Sequence, residues 1–146
     1  MPPLTPVAAA VMEEHRHLRG AVDELADVAF HTPPVAEGHA WCGDVASRLH
    51  DLGARLQRHF RGEEEEDGLY AQLARAMPDA AGQIQRLQEQ HQRLLDICRA
   101  LAEVAGTTPL DGEAFCRLTA RIGALLAELA SHEANESDLM LRVAQR

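Results

Sequence analysis

The stretch Leu49-His50-Asp51-Leu52-Gly53-Ala54-Arg55-Leu56-Gln57-Arg58-His59-Phe60-Arg61-Gly62-Glu63 decides the fold. Steps of three and four residues along it pick out Leu49, Leu52, Leu56, His59 and Glu63, a single helical stripe that begins apolar and ends in an imidazole and a carboxylate. Three other segments read the same way. The first carries Ala8, Val11, His15, Leu18, Val22, Leu25 and Ala29 on its stripe. The third carries Ile84, Leu87, His91, Leu94, Cys98 and Leu101, and the last Phe115, Leu118, Ile122, Leu125, Leu129, His132, Glu136 and Leu139. Each stripe is apolar except at one place, and there every helix has a histidine. The second and fourth helices add a glutamate one turn further on.

Breakers set the helix ends. The first helix is expected from Thr5 (as N-cap) or Pro6 to Phe30, and stops before His31-Thr32-Pro33-Pro34. The second runs from about His39 to the Glu63–Glu66 run, where Asp67-Gly68 interrupts it. A short helix, Leu69 to Ala76, leads to the turn Met77-Pro78-Asp79. The third long helix spans about Ala80 to Ala105, before Gly106-Thr107-Thr108-Pro109, and the fourth about Asp111 to Val143. The expected fold is therefore all-α. It is an up-down-up-down four-helix bundle with a short extra helix between its second and third long helices, and residues 1–146 form one domain. At ~1.5 Å of rise per residue, the four histidines lie roughly 10–16 Å from the same end of the bundle and so share one layer.

Composition narrows the function. Aromatic residues make up 3% of the chain against 46% hydrophobic residues in all, which suits helices and gives little support for a sheet. A formal charge of −9 argues against nucleic acid or anionic membrane surfaces as partners. No apolar run approaches a membrane span, and the start Met1-Pro2-Pro3-Leu4-Thr5-Pro6 lacks the basic and apolar segments of a signal peptide, so a cytoplasmic location is expected. Cys42, Cys98 and Cys116 show no CxxC spacing, which points to neither a disulfide framework nor a thiolate zinc site.

The polar layer points to metal. Two carboxylates in one core layer repel and are costly to bury, and no Lys or Arg sits on a stripe near Glu63 or Glu136 to neutralise them. The His15, His59-x-x-x-Glu63 kit of the first two helices recurs as His91, His132-x-x-x-Glu136 in the last two. Such a duplication suits a dinuclear site with two histidines per metal and two carboxylates free to bridge. Imidazole and carboxylate without thiolate suit iron, manganese or zinc, and six candidate ligands exceed what one structural zinc needs. Iron is the expected metal. His17, His31, His39 and His50 read as surface residues, Glu64 to Asp67 as mostly a solvated helix end, Cys98 as core filler, and Tyr70 as a packing residue in preference to one that lies near the site at the end of the second helix.

These residues resemble the hemerythrin-like (HHE cation-binding) family. The motifs are Glu14-His15-x-x-Leu18, His59-Phe60-x-x-Glu63-Glu64 with Leu69-Tyr70 after it, Glu89-x-His91-x-x-Leu94 and His132-Glu133-x-x-Glu136. The resemblance implies an oxo- or hydroxo-bridged di-iron centre with Glu63 and Glu136 bridging and the four histidines as terminal ligands. It also shows a departure: the oxygen carriers of the family have a second histidine on the third helix, where this chain has Leu95, and an Asp in place of Glu136, one residue later. The chain is thus similar to the four-histidine, two-glutamate subgroup, in which an open coordination position favours peroxide breakdown or related oxidative chemistry with hydrogen peroxide or O₂. The alternative is a module that binds, stores or senses O₂, nitric oxide or iron. A ferritin-like site would need Glu-x-x-His motifs on two helices at one level, which the sequence lacks.

Overall fold

The structure is a computed structural model that describes residues 4–107 and 111–146, with side chains from Pro6 onward. Five α-helices follow one another: α1 (Leu4–Ala29), α2 (Gly38–Glu63), α3 (Leu69–Ala76), α4 (Ala81–Thr107) and α5 (Gly112–Ala144). Short 3₁₀ turns at Val35–Glu37 and Pro78–Ala80 precede α2 and α4. No strand occurs among the described residues. The four long helices form an up-down-up-down bundle in which α1 packs on α2 and α5, α2 on α4, and α4 on α5. The expected helices are present, with ends displaced by one or two residues. The N-cap role given to Thr5 falls within α1, which begins at Leu4, and its side chain lies outside the described residues, as does Pro109.

Local chemistry explains the clearest boundaries. Asp111 caps α5 by accepting a hydrogen bond from the Ala114 amide at 2.8 Å. Trp41 donates its indole N–H to the Val28 carbonyl at 2.8 Å and lies 4.8 Å from the Phe115 ring, which fastens the start of α2 to the ends of α1 and α5. Gly68 closes the turn after α2, where a Cβ would stand 2.5 Å from the Gly62 carbonyl oxygen. No larger residue fits that approach without moving the end of α2.

The stripes face inward as the sequence expects, and they divide into two apolar cores. The larger holds Leu25, Leu49, Leu52, Leu56, Leu94, Leu101, Leu118, Ile122 and Leu125, all essentially inaccessible. The smaller gathers Val11 of α1, Leu69 and Leu73 of α3, Ile84 and Leu87 of α4, and Leu139 and Met140 of α5. On α1, α4 and α5 the histidine falls between the residues of one core and those of the other, and on α2, which contributes only to the larger core, His59 lies near the end of the helix. His17, His31, His39 and His50 are exposed, while Cys98 is buried and donates its Sγ–H to the Leu49 carbonyl at 3.1 Å.

Candidate metal centre

Each helix delivers its histidine to the same layer because a residue three or four steps from a core leucine stays on the buried face. His15, His59, Glu63, His91, His132 and Glu136 are all buried, and Glu136 has no accessible surface. They assemble into two overlapping groups. His15, His59, Glu63 and Glu136 offer donor atoms that all lie within 4.8 Å of one another, and so do Glu63, His91, His132 and Glu136. Both carboxylates belong to both groups. Glu63 Oε1 lies 3.4 Å from His59 Nε2 and 3.4 Å from His91 Nε2. Glu136 Oε1 lies 3.3 Å from His15 Nε2 and 3.5 Å from His132 Nε2. Each glutamate therefore spans from a histidine of one half to a histidine of the other.

An outer set of side chains holds the rings. His59 Nδ1 bonds the Glu14 carboxylate, His91 Nδ1 bonds Glu64 Oε1 at 2.9 Å, and His132 Nδ1 bonds Gln90 Oε1 at 2.7 Å. With Nδ1 turned outward to an acceptor, each ring presents Nε2 to the interior, the arrangement that fixes a metal-binding imidazole. Phe60 stacks on His91, with ring centroids 3.8 Å apart and planes 7° from parallel. From α3, the Tyr70 hydroxyl donates to Glu136 Oε2 at 2.9 Å and stands 2.7 Å from His91 Nε2.

Three of these positions add to the sequence reading. Tyr70 is buried and packed, but its hydroxyl also reaches the polar layer. Glu64 is exposed like Glu65, Glu66 and Asp67, but its carboxylate also reaches back to His91. In α4 the partner of His132 is Gln90, whereas Glu89 accepts from Gln85 on the surface. Adjacency could have found them. Glu14 and Gln90 each precede a stripe histidine and Glu64 follows Glu63, and a residue one step off a stripe lies at the seam with the neighbouring helix.

The electrostatics of the layer are those of a site short of positive charge. Burial pulls His91 and His132 down to about 4, against the raising influence of Glu136, and it lowers His59 as well. Burial, and then the neighbouring Glu136, push the Glu63 carboxyl far upward. On Glu136 burial acts upward too, but the His15 ring and the Glu63 carboxyl outweigh it and hold the group low. His59, His91 and His132 are thus neutral near pH 7, and the carboxyl pair keeps one proton between them unless a cation replaces it. No arginine is buried. His15 Nε2, His59 Nε2, His132 Nε2, both oxygens of Glu63 and Oε1 of Glu136 have no hydrogen-bond partner. Buried polar atoms are rarely left so, and here they converge. Tyr70 sharpens the point, since its single proton cannot serve both Glu136 and the His91 lone pair. A cation on these atoms would satisfy all of them, so the residues fit a metal pair of the kind their donor types suggest.

Comparison with known proteins agrees with this geometry. A family model described as hemerythrin HHE cation binding domain matches residues 7–144. No curated protein and no solved structure matches the chain.

Proposed function

Because the chain belongs to the hemerythrin HHE cation-binding family, we propose that its single domain holds two iron ions and breaks down hydrogen peroxide, or binds O₂, at them. His15 and His59 would hold one ion, His91 and His132 the other, and Glu63 and Glu136 would bridge both. The observation that carries this reading is the double membership of the two carboxylates, each set between histidines of opposite halves. Manganese or zinc are the substitutes the same donors would accept.

Bound there, an iron pair would supply two-electron redox chemistry, which suffices to convert two hydrogen peroxide molecules to two waters and one O₂ without an outside reductant. The chain's own residues do the rest. Glu14, Glu64 and Gln90 fix the orientation and tautomer of three imidazoles. Phe60, Leu18, Leu94 and Leu129 border the layer with apolar surface and keep bulk water from it. Tyr70 keeps its hydroxyl protonated, since burial and then the nearby carboxylates push its ionisation upward, and so donates a standing hydrogen bond that orients Glu136 through Oε2. Leu95, where the oxygen carriers have a fifth histidine, is half-buried beside Cys98 and the larger core. It offers no donor to the layer, which favours turnover over reversible carriage.

Elemental analysis of the purified protein, an ultraviolet–visible spectrum and O₂ evolution after peroxide addition test the proposal together. Two irons per chain with an iron–oxygen charge-transfer band and evolved O₂ support it. Two irons without peroxide turnover would leave a binding or sensing module for O₂, nitric oxide or iron. Failure to take up iron after anaerobic reconstitution would remove the di-iron site itself.

A further inference from the structure

The duplicated kit is not symmetric in what surrounds it, and the asymmetry falls on the atoms a cation would use. In the His15/His59 half, both Nε2 atoms lack hydrogen-bond partners, and the Glu14 carboxylate backs the His59 ring. In the His91/His132 half, only His132 Nε2 is unpartnered. His91 Nε2 faces the Tyr70 hydroxyl at 2.7 Å, and the same hydroxyl is bound to Glu136 Oε2 at 2.9 Å. The ring equivalent to His59 is His132, and its backing group is the neutral amide of Gln90 rather than a carboxylate. A carboxylate on Nδ1 makes the opposite nitrogen a stronger donor than an amide does.

Nothing in the first half obstructs a cation. In the second half, a cation must take His91 Nε2 away from a phenol buried in α3, only 2% exposed and pressed against His91 at a ring-centroid distance of 5.3 Å. Glu64 behind His91 gives each half one carboxylate-backed ring, so the imbalance rests on Tyr70. Resting on the two-cation reading above, we propose that the halves fill in order, His15/His59 first, and that Tyr70 is the gate on the His91/His132 half. The gate is a positioning device: it sets when the second cation enters by holding His91 and Glu136 together in the partly loaded protein.

Titration of metal-free protein with Zn²⁺, followed through the ¹⁵N signals of its histidine rings, tests the order without any turnover. The first equivalent should shift the His15 and His59 signals and the second those of His91 and His132. Tyr70→Phe keeps the ring and removes the hydroxyl, and should tighten the second step by about tenfold or more, drawing the two steps together. Gln90→Glu leaves Tyr70 in place and should tighten the second step as well, while Glu14→Gln should weaken the first by roughly 10–100-fold. Simultaneous filling, filling of the His91/His132 half first, or a Tyr70→Phe titration unchanged from the parent would overturn the gate. Uptake of a single equivalent by the parent and both tightening variants would overturn the two-cation reading itself, with the gate along with it.

Discussion

The two apolar cores on either side of the histidine layer are built differently. The larger lies where all four long helices contribute leucines, and Leu25, Leu49, Leu52, Leu56, Leu101 and Ile122 have no accessible surface. The smaller is closed over by α3, a helix of eight residues that is too short to be stable alone. The larger core can hold the bundle without help, at roughly 1.5–3 kcal/mol per fully buried leucine. The smaller depends on α3 staying docked, and α3 is tied to the polar layer through Tyr70. Stability in this fold is therefore uneven along its length, and the layer of histidines and glutamates sits at the boundary.

Removing metal should break the comparison most visibly. A cation held a thousandfold above its dissociation constant stabilises the folded state by about 4 kcal/mol, and that contribution acts at the boundary. Chelation should speed amide hydrogen exchange in α3 and in the adjoining ends of α1 and α5 before it affects α2 and α4 around Leu52 and Leu101. Equal loss of protection in both cores would show that the bundle opens as one unit.

Truncating leucines tests the same difference from the other side. Leu52→Ala in the larger core should cost about 3–5 kcal/mol, because rigid neighbours on all sides leave the cavity open. Leu73→Ala in α3 should cost nearer 2 kcal/mol, because a short docked helix can settle into the space. Chemical denaturation of both variants gives the two values, and a larger loss for Leu73→Ala would reverse the ranking of the cores. Gly68→Ala should cost about 2 kcal/mol and also lower metal content, since its Cβ would meet the Gly62 and Glu63 carbonyl oxygens at 2.5 and 2.7 Å. The backbone that must shift is the one that carries Glu63.

The larger core was legible in the sequence because it obeys one rule. A three-four stripe of leucines needs no partner-specific information to point inward, so the order of helices, the layer of histidines and the two glutamates all followed from spacing. The smaller core and the outer side chains depend on how α3 folds back over α1, α4 and α5. Tyr70 therefore read as packing and Glu64 as a solvent-facing charge, since neither lies on a stripe. Gln90 was hidden for a further reason: an amide beside a histidine is common on a helix surface, and only the docking of α5 gives it His132 as a partner.

Acidity should also separate a metal-free protein from a loaded one. Between pH 4.5 and 6.5 the unfolded chain protonates His91 and His132, which burial keeps neutral in the fold down to about 4. Over the same range the fold keeps a proton on Glu63 that the unfolded chain has lost, because burial and Glu136 raise that group from 4.5. His59, which burial also lowers, adds to the same side, so the unfolded state then binds between one and two more protons than the folded state, and stability rises with pH by about 1.4–2.8 kcal/mol per unit. Above 6.5 the Glu63 proton acts alone, and stability falls as pH rises. Thermal melts of metal-free protein should peak near pH 6.5, and melts with metal should lose the decline above it. A metal-free profile that keeps rising to pH 8 would mean that Glu63 is ionised without a cation.

The smallest effect sharpens the contrast between the two sides. Gly53 sits inside α2 beside the larger core, and a Cβ there would meet only Cys98 Sγ, at an ordinary contact distance of 3.5 Å. Its backbone is helical, so nothing demands glycine, and glycine in a helix interior costs about 0.5–1 kcal/mol relative to alanine. Gly53→Ala should therefore raise stability by about that amount and leave metal content unchanged. The same replacement at Gly68 is expected to do the opposite on both counts. If Gly53→Ala destabilises instead, the Cys98 contact is less yielding than its distance suggests, and the larger core is packed tightly enough to reject even a methyl group at its margin.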